Sequence, residues 1–375
     1  MAHLFQTLFL NPGLKSVPFI TDYIIQPGNH VWVRINRRWQ KHPEFNDKPT
    51  TDQVRELVQA AEKEDVVEVA PRKGANQETF VIGGTSFDQN NYSFEIEDDQ
   101  GGRKDVFRYR VHLSNEMQGV EINVRVLRAG EIDARELGFT DAIIDRLMSR
   151  RTGLIVIAGK TGSGKSTTLA ALVKEIGRFY PESRLITVEA PVEYALHNTP
   201  GLHVSQRQVG THVESFKTGI LNIKRESADF AMVGEIPNVE EINGVFEAAS
   251  AGHLVLTTCH AETIPKTLDF LRRGGDPEDM QQRIATYLNA IIVQELVPSG
   301  GKGYQYPALA YEVMINNPEE TREITSVLKK GNWESLDLKG HGQFPMEARL
   351  KELIDSHRID PGDPQVARVL RKPLA

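Results

Sequence analysis

Gly159-Lys-Thr-Gly-Ser-Gly164-Lys165-Ser166 is the stretch on which the reading turns. It follows the apolar run Leu154 to Ala158 and leads into a segment whose Leu169, Leu172 and Val173 fall at helical spacing. Glycines in such a strand-loop-helix turn let backbone N–H groups wrap a β-phosphate, and the helix start adds a favourable positive end. Lys165 then reaches the β and γ oxygens, and the Ser166 hydroxyl is placed for Mg²⁺. Gly159, Thr161, Gly162, Ser163, Gly164, Lys165, Ser166 and Thr167 are therefore the expected contacts of a nucleotide, with ATP and Mg²⁺ bound together. A glycine-rich turn without nucleotide is the competing reading, and the complete motif in this context argues against it.

Outward from the loop, short apolar runs alternate with helical segments: Leu185 to Val188, Phe230 to Val233, Leu254 to Thr258 and Ile291 to Val297. Runs that are apolar on both faces suit strands of a helix-covered parallel sheet, so the fold class is α/β. Val213, Phe216, Ile220 and Ile223 form one helical stripe able to pack on that sheet. A further strand is expected at Ala308 to Met314, with helices near Pro318 to Lys330 and Phe344 to Ser356.

Open α/β sheets bind ligands beyond the carboxyl ends of their strands. The run ending at Val188 leads into Glu189, the run ending at Val233 into Gly234 and Glu235, and the run ending at Thr258 through Cys259 into His260. Taken singly, an acid after a strand is usually a helix cap or a solvated turn. Three polar residues on the edge that also carries the phosphate loop fit phosphoryl transfer to water, which needs a metal holder and a group to deprotonate the water. Glu235 suits holding the Mg²⁺ shell through water, Glu189 is the candidate general base, and these two roles are interchangeable on sequence alone. His260 is the candidate donor to the γ-phosphate, while His253 at the start of the same run reads as structural.

The first ~130 residues read differently, with strands at Ile20 to Ile25, Val31 to Ile35, Phe94 to Glu97, Val106 to Leu113 and Val120 to Val126, and a helix near Thr51 to Lys63. Between two of these strands, Glu97 to Lys104 has the glycines and charges of a hairpin turn. This part is expected to be a small α+β domain. The domain organisation is thus 1–130 amino-terminal α+β, 131–152 linker and leading helix, 153–300 P-loop core, and 301–375 a strand and helical subdomain.

Composition narrows the classes. Lys and Arg number 44 against 51 Asp and Glu, a net charge of −7, which argues against direct nucleic-acid binding. The lone Cys259 permits neither an internal disulfide nor a four-cysteine zinc site. No apolar run reaches the ~18 residues that span a bilayer, and the opening residues lack a signal-peptide pattern, so a cytoplasmic location is expected.

These motifs carry a family resemblance. Thr187-Val-Glu189-Ala-Pro-Val-Glu193-Tyr194, Ala231-Met-Val-Gly234-Glu235 and Ala249-Ser-Ala-Gly252-His253-Leu-Val-Leu-Thr-Thr-Cys-His260 resemble the Asp box, Walker B element and His box of the secretion ATPases. That family drives type II and type IV secretion and type IV pili, and the likeness is greatest to its PilT-like retraction and DotB-like branches, including plasmid conjugation motors. Gln206-Arg207-Gln208-Val209-Gly210, Arg225 and Gln294 match further family positions. The resemblance implies a RecA-like core preceded by a PAS-like domain. It also implies a homo-hexamer with ATP between the domains, peripheral to an inner-membrane secretion or pilus complex. Arginines lent to the γ-phosphate are worth ~10³-fold or more in rate. Arg110 and Arg125, on strands similar to the family's arginine-bearing pair, are the expected donors, with Arg207 and Arg225 as weaker ones. Without the resemblance, alternate arginines on a strand read as a solvated face.

Two departures stand out. Ala190 occupies the place of the Asp-box aspartate, and Pro237-Asn238 replaces an arginine-aspartate pair after Walker B. Three functions are therefore weighed: a hexameric motor ATPase, a nucleotide-binding scaffold with weak hydrolysis, and a RecA-like DNA translocase.

Overall fold

Alternating apolar and polar residues give the strand at 119–128 one covered face. In the computed structural model, which describes residues 20–35, 38–43, 45–54, 70–71, 80–81, 91–100, 103–116, 119–128, 132–196, 199–299, 307–336 and 343–370, two compact units are present, Met1–Glu131 and Ile132–Ala375. The first holds β1 (Ile20–Ile25), β2 (Trp32–Ile35), β3 (Arg38–Lys41), a short ladder of β4 (Ala70–Pro71) with β5 (Phe80–Val81), and β6 (Asn91–Gln100), β7 (Arg103–Glu116) and β8 (Gly119–Arg128). Six of them form an antiparallel sheet in the order β3-β2-β1-β8-β7-β6. On β8, Val120, Ile122, Val124 and Val126 are buried while Glu121, Asn123 and Arg125 between them are half-buried, so Arg125 points away from that core.

The hairpin strands β6 and β7 run further than their apolar residues indicate, pairing through Asp98, Asp99 and Gln100; the turn glycines 101 and 102 lie outside the described residues. Of the expected helix at 51–63, residues 51–54 are helical and 55–63 lie outside the described residues.

The second unit begins with α1 (Asp141–Leu147) and continues β9 (Gly153–Ala158), α2 (Lys165–Phe179), β10 (Ser183–Glu189), β11 (Leu202–Gln208), α3 (Phe216–Ile223), β12 (Phe230–Val233), α4 (Val239–Ser250), β13 (Leu254–Cys259), α5 (Ile264–Arg272), α6 (Pro277–Tyr287), β14 (Leu288–Val297), β15 (Ala308–Ile315), α7 (Arg322–Lys330), α8 (Met346–Asp355) and α9 (Pro364–Leu370). Its sheet has the order β11-β10-β12-β13-β9-β14-β15 and is parallel except for the antiparallel edge pair β14-β15. The strand at Ala308, counted in the sequence with the carboxyl-terminal segment, is thus an edge of this sheet.

Strand periodicity explains the two cores. Leu154, Val156 and Ala158 pack with apolar residues of α3, α4, α5 and α6, among them Ile220, Phe246, Leu268 and Ile284. Ile155 and Ile157 face the other way, onto α1 and α2 through Ile144, Leu147, Leu172 and Ile176. The stripe at Phe216, Ile220 and Ile223 lies on α3 with all three buried, and Ser215 caps that helix by accepting from the Thr218 N–H.

Candidate functional site: a phosphate loop on the strand-end rim

Parallel register aligns the strand ends. Ala158 stands opposite Cys259, Thr257 opposite Val233, and Val233 opposite Val188. The residues that follow, Gly159, His260, Gly234-Glu235 and Glu189, therefore emerge on one rim of the sheet, beside the start of α2.

The loop is close-packed against β14. At Gly159, with φ +157°, a Cβ would come within 2.5 Å of both the Gln294 carbonyl and Ser163 Oγ, so only glycine fits. Gly164 takes the left-handed conformation, φ +87°, at the N-cap of α2. Beneath the loop, the buried Gln294 donates its amide to the Ser163 carbonyl at 2.7 Å. Ser163 Oγ is buried without a hydrogen-bond partner, packed against Gly159. The Lys165 ammonium donates to the carbonyls of Gly159 at 2.8 Å and Lys160 at 3.2 Å. Burial pushes this lysine below its ordinary range, against the opposing pull of Glu235 and Glu193. Ser166 and Thr167 stand half-buried on the first turn of α2, and Thr167 Oγ1 lies 2.7 Å from Tyr194 Oη. Thr161 and Gly162 are exposed at the loop tip.

Glu189 is 5% exposed. Its Oε1 accepts from Thr187 Oγ1 at 2.6 Å and from Gln206 Nε2 at 3.1 Å. Burial raises its carboxyl from an ordinary 4.5 to about 7, with Glu193 adding to the shift and the two side-chain donors opposing it. A carboxylate with that proton affinity is suited to accept a proton near neutral pH. Glu235 and His260 are both partly exposed, with Nε2 3.5 Å from Oε2. Thr258 ties the ends of β12 and β13 together by donating to the Gly234 carbonyl at 2.8 Å. His253 lies at the opposite end of β13, where its carbonyl accepts from Gly153 at 3.0 Å. Cys259 is buried, and burial pushes its thiol up to about 11, so it remains protonated.

The arginines are placed otherwise. Arg125 donates Nε to Asp22 Oδ1 at 3.0 Å within the amino-terminal sheet, and backbone register sets Arg110 opposite it; the Arg110 side chain lies outside the described residues. Arg207 makes a two-pronged pair with Glu226, through Nη1 at 2.7 Å and through Nη2. Arg225 is exposed beyond α3.

Thr187 and Tyr194 of the Asp-box motif and the family-matched Gln206 carry no assigned role in the sequence reading, yet all three belong to the site's hydrogen-bond network. Thr187 left a signal, being the polar residue two positions before Glu189 in a buried strand and hence on the same face. The oxygen donors Ser166 and Glu235 suit a hard cation such as Mg²⁺. Among the described residues, no His, Cys, Asp and Glu grouping forms a metal cluster of its own.

A rim of this kind is the nucleotide seat of P-loop ATPases, and that is the class of enzyme the fold and site define. Within that class, the chain belongs to the type II/IV secretion system protein family, whose model matches residues 102–331. It is similar to the twitching motility protein of Neisseria gonorrhoeae, with 29% identity over 283 residues that cover 72% of this chain and 70% of that one. It is also similar to the type IV pilus retraction ATPase PilT of Pseudomonas aeruginosa, 30% identical over 235 residues covering 62% and 64% of the two chains. The solved structure of the Legionella pneumophila ATPase DotB shares the fold, with a TM-score of 0.71 at 20% identity over 94% of this chain and 91% of that one.

Proposed function

We propose that this chain is a hexameric motor ATPase that hydrolyses ATP to power a bacterial type IV secretion, conjugation or retraction-type pilus machine. The observation that carries the reading is the shared rim, where the phosphate loop, Glu189, Glu235 and His260 leave aligned strand ends. Relatives named for twitching motility and pilus retraction support the choice of machine.

In the proposed chemistry, Glu189 takes a proton from water as the water oxygen bonds to the γ-phosphorus. The bond from that phosphorus to the β-bridging oxygen breaks, leaving ADP and phosphate. Lys165 exchanges the loop carbonyls for β and γ oxygens, and the loop N–H groups bind the β-phosphate. Ser166 and, through water, Glu235 would hold Mg²⁺, which supplies neutralisation of the phosphate charge. His260, steadied by Glu235, donates to the γ-phosphate. Arg110 and Arg125 serve the ATP as charge donors, Arg125 exchanging Asp22 for phosphate oxygen. The protein works at the cytoplasmic face of an inner-membrane complex, docked through partners; among the described residues no helix is long and apolar enough to cross a membrane.

A scaffold with weak hydrolysis is the second reading, motivated by Ala190 and by Pro237-Asn238, whose asparagine caps α4 by accepting from Glu240 N–H at 3.0 Å. Native mass measurement with and without ATP, run beside hydrolysis assays of wild type, Lys165→Ala and Glu235→Gln, separates the two. Nucleotide-stabilised hexamers whose turnover is lost in both variants are expected. A monomer at every concentration would overturn the ring, and equal turnover in wild type and Glu235→Gln would favour the scaffold. DNA-stimulated, salt-sensitive hydrolysis would point instead to a translocase.

A further inference from the structure

The Gln206 side chain is fully committed. Its Nε2 donates to Glu189 Oε1 at 3.1 Å and to the Tyr194 carbonyl at 2.8 Å, while its Oε1 accepts the Leu196 N–H at 2.7 Å. With both ends of the amide engaged, the group cannot flip or turn without losing hydrogen bonds in a half-buried site. Parallel register sets Gln206 directly beside Thr187, and both donate to the same carboxylate oxygen. Tyr194, whose carbonyl Gln206 holds, shares a 2.7 Å hydrogen bond between its hydroxyl and Thr167 Oγ1 on the first turn of α2. A continuous hydrogen-bonded path thus joins the helix that follows the phosphate loop to the candidate base.

We propose that Gln206 and Thr187 are positioning residues for hydrolysis, fixing the orientation and proton affinity of Glu189 and, through Tyr194, tying it to the phosphate-loop helix. This deepens the reading of Glu189 as the base and rests on it. Donors to an ionised carboxylate favour that form, and they offset the burial and the neighbouring Glu193 charge that disfavour it. The Glu193 backbone N–H also stabilises the charge and is untouched by side-chain changes at Gln206 or Thr187.

The test is the pH dependence of kcat in the full chain with Mg-ATP, for Gln206→Met, Thr187→Val and Thr187→Ser, beside Glu189→Gln. Fluorescent-ADP titration checks that each variant binds nucleotide. Losing a donor should move the acid limb of kcat upward by about one pH unit in Gln206→Met and in Thr187→Val. KM for ATP should stay within about twofold, and Thr187→Ser, which keeps the hydroxyl, should restore the wild-type limb. A uniform loss of kcat with the limb unmoved would overturn the positioning role while leaving Glu189 as base. Full turnover in Glu189→Gln would overturn the base assignment itself, and the proposal with it.

Discussion

The amide of Gln294 donates to the carbonyl of Ser163 at 2.7 Å across 131 residues of chain, so β14 supports the phosphate loop from beneath. Gln294→Leu should leave the fold intact but release that carbonyl, a loss of about 1 kcal/mol. Fluorescent-ADP titration should show an affinity roughly fivefold to tenfold weaker. Unchanged affinity would mean that the loop holds its shape without this contact.

Glu189 makes stability depend on pH in a defined direction. Its folded carboxyl binds a proton up to about 7, against an ordinary 4.5, so the folded state holds the proton more tightly across that window. The associated stability is whole below 4.5 and is lost as pH rises through about 7, on the order of 3 kcal/mol. Glu189→Gln should therefore melt above wild type at about pH 8, with the gap closing toward pH 4.5. Parallel melting curves across that range check it, and a gap that does not vary with pH would refute the assignment.

Glu175 on α2 has a fully buried side chain, held by Arg135 at 3.1 Å and Arg178 at 2.6 Å, which in turn reach Asp141 and Asp133. Replacing both arginines by methionine strands a buried carboxylate and should cost about 3 kcal/mol or more. Adding Glu175→Met to that pair should recover much of the loss. Urea denaturation of the double and triple variants measures the coupling, and simple additivity would count against it.

Gly219 on α3 lies against the strand that delivers Glu189. A Cβ there would sit 2.7 and 2.8 Å from the two Val188 methyls. Gly219→Ala should destabilise by about 1–3 kcal/mol through overpacking. Because Val188 immediately precedes Glu189, kcat should fall more than nucleotide affinity. Wild-type kcat in a variant that folds would show that the rim absorbs the strain.

The central strands were readable because a parallel sheet covered on both faces demands unbroken apolar runs, as at Leu154 to Ala158 and Leu254 to Thr258. The phosphate loop was readable because its geometry is local. By contrast β11, Leu202-His-Val-Ser-Gln-Arg-Gln, carries almost no apolar signal and is a strand through its pairing with β10. The exposed edge strand β3 was missed for the same reason. The contacts of Gln206 and Gln294 escaped because they join residues distant in sequence, and neither spacing nor composition encodes such a meeting. Arg125 shows the converse: its residue type was noticed, but its engagement by Asp22 depends on how β1 and β8 align.

The alignment of strand ends has a consequence for how such a chain can change. Inserting one residue within β12 would carry Glu235 about 3.3 Å onward and turn it toward the other side, whereas lengthening the connection after α4 would leave it where it is. Tolerance of insertions should therefore be low inside these strands and high in the segments that link them, leaving the outer surface free to diverge toward new partners around an invariant chemical edge.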